Sequence, residues 1–572
     1  MKKEAVPSML LSFHEYRKQG GLKNMKKRKL VAALSGIMAF SVALTGCGGN
    51  TNDAAKQGET KTAETKKEDK KGGKTLIVGR GGDSVGLDPI TITDGESARV
   101  TENIMETLVK YKKENTEVIP GLAEKWDITP DGKEYTFHLR KGVTFHDGTP
   151  FNAEAVKFNF ERWMDKNNPY HDKEGYEYYN DMFGGYKGDK DHVIASVDVK
   201  DEYTVVLTLN RPLAPLMQNL GMFPFAIASP DAVKKGTKEF NEKPVGTGPF
   251  KFEKWNRNDS ITISKNTDYW QKGLPKLDKV IFKVIPDNSA RLTALTSGEI
   301  DIMDGLNPDD AKSVKENKDL QLFVRPSMNA GWLGFNIEKK PLDNVKVRQA
   351  MGHAVDKQGM IEAFYSGFAQ PATNPLPPSI WSHNDQIKDR EYNLEKAKQL
   401  LTEAGYPNGF KVKFWAMPVP RPYIINGQKM AEAIQQDFKK IGIDAEIVSM
   451  DWATYLDKTK KGEQELYLLG WTGDNGDPDN FLNNHFNKNN IGGSNRSFYK
   501  DEKVTDLLVK AQSEVDVAKR TEIYNEVQQI IFDQAILIPL VHSTPPIAAK
   551  ATVKGYVPHP KGNESLEEVD IE

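Results

Sequence analysis

The chain has 572 residues, of which 28% are charged, 38% are hydrophobic and one is cysteine. That length and mixture suit roughly three or four folded domains, and they exclude a disordered chain, a collagen or a polytopic membrane protein. One cysteine leaves no internal disulfide and no cysteine-cluster metal site, and a net charge of −2 gives no basic footprint for nucleic acid.

The charge is unevenly placed: residues 1–46 carry +7 and the remainder −9. Met25-Lys26-Lys27-Arg28-Lys29 reads as a basic n-region, and Leu30 to Leu44 as an apolar stretch of 15 residues, short for a bilayer span. Leu44-Thr45-Gly46-Cys47 resembles a bacterial lipobox, in which the cysteine is acylated and becomes the mature N-terminus. Residues 1–46 are therefore the expected signal peptide and Cys47 the expected lipid attachment point. The anchor is a covalent lipid on an extracytoplasmic protein, not a transmembrane helix. Met1 to Asn24 is polar and unlike a signal, and Gly20-Gly21 permits a ribosome-binding sequence ahead of Met25, the expected translation start. Residues 47–74 are almost free of apolar side chains beyond Cys47 and are expected to form a flexible tether.

Thr75 to Val78 opens the globular part as a short apolar strand. Tyr135 to Leu139 alternates like a strand between the turn signals Asp131-Gly132 and Asp147-Gly148. Asn152 is placed to cap a helix through Arg162. Tyr203 to Leu209 and Lys279 to Ile285 read as strands. Beyond Asn329 the pattern becomes α/β, with helices at Val345 to Tyr365, Leu394 to Ala404, Gly427 to Lys440 and Val515 to Asp533. The strands between them are Phe410 to Trp415, Ile443 to Ser449 and Glu465 to Gly470. This alternation predicts a largely parallel sheet with ligands near strand ends. Lys550 to Glu572 is too short for a domain and is expected to return to the first one.

Catalytic patterns fail on inspection. Gly82-Asp83-Ser84-Val85-Gly86 matches a nucleophile elbow, but Leu87-Asp88-Pro89 obstructs the helix that motif needs. Asp474, Asp477 and Asp479 crowd one loop without the spacing of a calcium loop. Asp477 and Asp479 are expected instead to cap the next helix, with Pro478 in its first turn. The ten histidines are scattered and show no ligand spacing, and His353 reads as a structural residue inside a helix.

Longer segments are more specific. Gly121-Leu-Ala-Glu-Lys-Trp126, Phe145-His-Asp-Gly148, Pro244-Val-Gly-Thr-Gly-Pro-Phe250, Asp268-Tyr-Trp270 and Pro341 to Ala350 running into His353-Ala-Val-Asp-Lys357 resemble the family 5 extracellular solute-binding proteins. The resemblance covers nearly all of residues 75–572. It implies an α/β, two-lobed periplasmic-binding-protein-like (type II) fold with an extra α+β subdomain inserted in the first lobe. The expected division is 75–328 for lobe I with the insertion at about 107–240, 329–544 for lobe II, and 545–572 returning to lobe I. It also implies a monomeric binding subunit of an ABC importer, partnered by permease and ATPase subunits, with no cofactor, metal or catalysis.

Phe414 to Tyr423 and Gly470 to Asn480 are similar to the dipeptide-binding branch of that family. By that resemblance Arg421 binds the ligand carboxylate and Asp474 the α-amino group. Arginine presents a planar fork to a carboxylate, aspartate accepts from ammonium, and a buried zwitterion needs both ends paired. Each peptide residue adds about 3.3–3.6 Å, so two fixed charges act as a ruler favouring one peptide length. Side-chain identity is expected to matter less. Trp471 and Trp415 are expected as pocket walls, and Gly81 and Gly82 as a backbone surface toward the peptide. The alternatives are the same scaffold holding a longer peptide, glutathione, a nickel chelate or haem, and an extracellular peptidase using Ser84.

Overall fold

The computed structural model describes residues 73–572; Met25, Cys47, the signal region and the tether up to residue 72 lie outside the described residues. A seven-stranded mixed sheet organises the first lobe. Its order is Leu320–Val324, Pro546–Lys550, Ile302–Met303, Thr75–Arg80, Lys279–Val284, Ser260–Lys265 and Phe250–Asn256. Thr75–Arg80 runs parallel to both neighbours, and the other pairings are antiparallel. Successive strand residues point to opposite faces. Leu76 and Val78 accordingly join one core with Val280 and Phe282, while Ile77 packs against another with Leu295, Ile300 and Met303.

The second lobe is built on a six-stranded sheet ordered Ala369–Pro371, Leu537–Ser543, Asn329–Phe335, Leu466–Thr472, Lys411–Trp415 and Asp444–Val448. Only the pairings of Lys411–Trp415 are parallel; the rest are antiparallel. The largely parallel expectation is thus corrected. Asn329–Phe335 carries the chain in from the first lobe and Leu537–Ser543 carries it back, so these adjacent strands must run in opposite directions. They meet at the crossover, where Asn329 Nδ2 donates to the Ser543 carbonyl at 3.0 Å and Arg325 N donates to the Pro545 carbonyl at 3.0 Å.

Most predicted elements are present with shifts of one or two residues at their ends. Asn152 caps Ala153–Met164, accepting from Ala155 N at 3.0 Å, and Gly405, with φ of 88°, follows Leu394–Glu403. The single helix expected over Val345 to Tyr365 is two, Val345–Ala354 and Lys357–Phe364. Val355 is extended and Asp356 caps the second helix by accepting from Gly359 N. The apolar period continues through this break, so only the aspartate marks it.

A separate four-stranded antiparallel sheet, ordered Ala123–Ile128, Glu134–Leu139, Thr204–Leu209 and Ile194–Asp201, packs with the helices Ala153–Met164 and Glu177–Phe183. Its core reaches from Ile90 to Ile227 and is rich in aromatics such as Phe137, Trp163 and Phe183. Ala232, Val233 and Phe240 lie in the first-lobe core instead.

The tail adds Pro546–Lys550 to the first sheet and then runs back to Val553–Lys554, which pairs with Asp570–Ile571. Glu106 sits where this tail, the first lobe and the insertion converge. Its carboxylate accepts from Thr247 Oγ1 (2.8 Å), Tyr269 OH (2.9 Å) and Trp270 Nε1 (3.1 Å). The same tyrosine hydroxyl is 2.9 Å from Glu567 Oε2 of the tail. Burial raises Glu106 to about 7, against the hydrogen bonds from Thr247 and Trp270. An acid raised on folding binds its proton preferentially in the native state. Its stabilisation is present at low pH and lost as pH climbs through the folded value. Glu106→Gln should therefore stabilise the protein relative to wild type more at pH 7.5 than at pH 4.5. Thermal unfolding of the two proteins across that range checks this, and a pH-independent difference counts against it.

Candidate functional site

A cavity of about 310 Å³ opens where the two large sheets and the insertion face one another. The second lobe contributes Arg421, Tyr423, Trp452, Trp471, Asp474, His485 and Arg496. The insertion contributes Tyr178 and Asp181, and the first lobe and tail contribute Glu96, Arg99, Asp304, Arg325 and Lys561. Arg421 and Asp474 therefore share one cavity, both half-buried.

Arg421 is carried by a loop beyond the strand Lys411–Trp415. A two-way backbone pair between Arg421 and Ile424 tightens this loop, at 2.9 and 3.1 Å. The Pro422 carbonyl accepts from Ser543 Oγ (2.6 Å) and the Tyr423 carbonyl from Tyr365 OH (3.2 Å), which fixes the loop to the crossover strand and to the lobe core. The guanidinium carbon lies 5.5 Å from the centre of the Trp452 ring. Such stacking leaves the planar fork free for a carboxylate. Among the described residues no acidic side chain forms a salt bridge with Arg421.

Asp474 follows the strand Leu466–Thr472. Its backbone N–H donates to Asn480 Oδ1 at 3.0 Å, and its Oδ2 accepts from Tyr178 OH (3.2 Å) and Asn480 Nδ2 (3.3 Å). These partners are neutral. Burial consequently raises the carboxyl to about 7 despite the hydrogen bonds from Asn480 and Tyr178. An ammonium brought beside it would reverse that shift.

Of the two expected caps, Asp477 accepts from the N–H of Asp479 at 2.9 Å, at the start of the helix Asp479–Phe486 and with Pro478 between them, while Asp479 caps nothing. Asp477 is 2% exposed and makes a two-pronged pair with Arg520, at 2.8 and 3.0 Å, while Asp479 accepts from Gln512 Nε2 at 3.0 Å. Gly476 has φ of 72° and abuts Thr116, which bars a side chain there. The turn carrying Asp474 is thus locked from below.

Two other expectations are corrected, and the rejected Ser84 motif has no elbow geometry. Trp415 is buried in the second-lobe core, edge-on to Tyr455 at 6.1 Å, and does not line the cavity. Alternation puts it on the face of the exposed Lys411 and Lys413, and there Tyr455 covers it. Gly81 and Gly82 lie behind the wall, near Arg291 and Glu96, and do not reach the cavity. Ser84 is buried, takes a hydrogen bond from Arg80 Nη1 at 2.9 Å, and heads no helix. Trp471 does line the cavity; its Nε1 donates to Asn480 Oδ1 at 2.9 Å.

The sequence reading missed Tyr178, Asp181, Trp452 and the first-lobe charges. That opposite wall is an ion network. Asp304 lies between Arg99 (3.0 Å) and Arg325 (2.9 Å), and Arg325 also holds Glu564 at 2.7 Å. Burial alone would raise Asp304, but the two arginines hold it well below the usual carboxylate range. Lys561 is paired with Glu102. Among the described residues, no group of three or more His, Cys, Asp or Glu side chains could hold a metal ion.

Residues 117–493 match the family model described as "Bacterial extracellular solute-binding proteins, family 5 Middle". The chain is 40% identical over 514 residues to the dipeptide-binding protein of Escherichia coli, covering 87% of this chain and 95% of that one. It is 38% identical over 558 residues to heme-binding protein A of Haemophilus influenzae, covering 95% and 100%. A solved dipeptide binding protein of Pseudoalteromonas in complex with Met-Leu superposes with a TM-score of 0.81 at 31% identity, covering 87% of this chain and 100% of that one.

Removing one partner of a buried ion pair costs about 3–5 kcal/mol. Asp477→Ala should destabilise the protein by about that amount, measured by chemical denaturation, because Arg520 is left buried and unpaired. A loss below about 1 kcal/mol would show that the pair does not hold the turn.

Proposed function

The chain belongs to the bacterial extracellular solute-binding proteins of family 5, and on that premise we propose that it captures dipeptides and delivers them to the permease and ATPase subunits of an ABC importer. The observation that carries this reading is the pairing ledger of the cavity. Arg421 and Asp474, carried on two facing loops of the second lobe, face the same space without a salt-bridge partner among the described residues, as do Arg496, Asp94 and Asp181, whereas Arg99, Arg325 and Lys561 of the opposite wall are paired with Asp304, Glu564 and Glu102. A zwitterion fits that arrangement, with its α-carboxylate on Arg421, its α-amino group on Asp474, and Trp471 and Trp452 as walls. Haem, whose charged groups are carboxylates, leaves Asp474 unanswered. The protein works as a monomer without catalysis, held outside the cytoplasm by a lipid on Cys47.

Native mass spectrometry after incubation with mixed di- and tripeptides tests the reading. Intact bound dipeptides are expected; released amino acids would point to a peptidase, and exclusive retention of tripeptides to a longer ruler.

Asp474→Asn should weaken dipeptide binding by about 2–5 kcal/mol, read by calorimetry, because it strands the buried ammonium of the ligand. Arg421→Lys should weaken it less, because the charge is kept and only the planar fork is lost. A C-terminally amidated dipeptide should lose affinity for wild type and lose little more in Arg421→Lys.

Binding should also depend on pH. The free protein holds a proton on Asp474 below about 7, and the ligand ammonium needs the carboxylate. Affinity should therefore rise from pH 5.5 to 7, with proton release on binding, and fall above about 8 as the α-amino group deprotonates. Asp474→Asn should abolish the acid limb; an unchanged limb in that variant would place the proton elsewhere.

A further inference from the structure

Beyond the anchors, two more acidic side chains in the cavity wall lack a counter-ion among the described residues: Asp94, which caps the helix Gly95–Thr101 by accepting from Ser97 N, and Asp181. Glu177 is taken by Lys460 at 3.1 Å. Asp181, one helical turn further along Glu177–Phe183, lines the cavity and has no cation within salt-bridge distance among the described residues. Its Oδ2 accepts from Ser494 Oγ (2.8 Å) and its Oδ1 from Asn180 Nδ2 (3.0 Å). A carboxylate offers about four acceptor positions, so these two bonds do not fill it. Burial, reinforced by Glu177, raises it to about 6.

Asp181 is placed beside the amino anchor. Tyr178 precedes it by three residues on the same helix, and side chains at that spacing share a face. The Tyr178 hydroxyl is the one that touches Asp474.

The facing wall repeats the same deficit. His485 is 8% exposed and lines the cavity, its ring set edge-on to Trp332 and Trp471, each at 5.1 Å. Its Nδ1 lies 3.2 Å from the carbonyl of Ser494, the residue whose hydroxyl serves Asp181. A carbonyl only accepts, so Nδ1 carries the hydrogen. Burial keeps the ring neutral by lowering it to about 4. Nε2 is then a lone-pair acceptor, and it is buried without a partner. Of the cations nearby, Lys460 is engaged by Glu177, and Arg496 directs Nη1 to the Leu456 carbonyl (2.8 Å) and Thr459 Oγ1 (2.6 Å).

We propose that Asp181, with Ser494 and the unpartnered Nε2 of His485, forms a side-chain subsite for a ligand residue bearing an N–H or O–H donor, the residue whose α-amino group Asp474 holds. This rests on the dipeptide reading and narrows it: the first side chain is selected for hydrogen-bond donors, while the second is not selected by this corner. A site with buried acceptors discriminates against an isostere that lacks the donor, because the acceptor is then left unpaired.

Calorimetry on the full protein with matched peptides tests this. Thr-Ala against Val-Ala and Lys-Ala against norleucyl-Ala differ in donors at nearly constant shape. In wild type the donor-bearing member of each pair should bind about tenfold more tightly, and Ala-Thr against Ala-Val should show no such preference. Asp181→Ala should bring both ratios to within about twofold, with its folding verified by thermal unfolding. Asp181→Asn keeps the shape and removes the charge, so it should reduce the lysine ratio more than the threonine ratio. Equal affinities within both pairs in wild type, or ratios that survive in Asp181→Ala, overturn the subsite while leaving the dipeptide reading intact. Failure of all six peptides to bind overturns the dipeptide reading and the subsite together.

Discussion

A half-buried charge without a protein counter-ion is the constraint around which this molecule is arranged. Asp474 is given neutral donors only, and Arg421 is given an aromatic face and no carboxylate. Both choices keep a side chain in position while leaving its charge unanswered. The cost is contained because each residue sits on a loop that other interactions hold rigid. The Asp477–Arg520 pair and Gly476 fix one loop; the bonds from Ser543 and Tyr365 to the Arg421 loop fix the other. Preorganisation of this kind lowers the ordering cost that a ligand would otherwise meet.

The two-lobed architecture gives those charges their use. The chain crosses between lobes at two adjacent points, near Arg325–Asn329 and Ser543–Pro545, and the crossing strands are hydrogen-bonded to each other. Arg421 and Asp474 both belong to the second lobe, while Tyr178 and Asp181 come from the insertion and the ion network from the first lobe. A ligand can shift a conformational equilibrium only by contacting the two states differently. Groups on opposite sides of one cavity supply that difference. The Tyr178–Asp474 bond shows the two sides already within reach of each other.

Local chemistry was legible in the sequence; long-range placement was not. Caps such as Asn152 and strand ends such as Trp415 follow from residue types and spacing, and the two anchor loops from the family resemblance of the segments that carry them. The break at Val355-Asp356 was hidden because the apolar period runs through it. Trp415 was misplaced because alternation sets it on the face of the exposed Lys411 and Lys413, and Tyr455, which covers it there, is distant in sequence. Asp477 does cap its helix, but its pairing with Arg520 was hidden, and Asp479 read as a cap because Gln512, its actual partner, is more than thirty residues away. Tyr178 lies 296 residues from Asp474, and nothing around it announces that contact.

The same separation explains why the opposite wall is paired and the anchors are not. Asp304 draws Arg99 and Arg325 from different segments, and Arg325 draws Glu564 from the tail, so these charges knit the first lobe to its own returning terminus. Removing a charge from such a network leaves its partners buried and uncompensated, which makes the wall a structural surface. Arg421 and Asp474 take no part in any such tie, and their removal strands nothing in the protein itself. A cavity with one wall largely closed to further charge and the other open at Arg421 and Asp474 is selective before any side chain is considered. Only a ligand that brings both signs, correctly spaced, neutralises the open wall without disturbing the closed one.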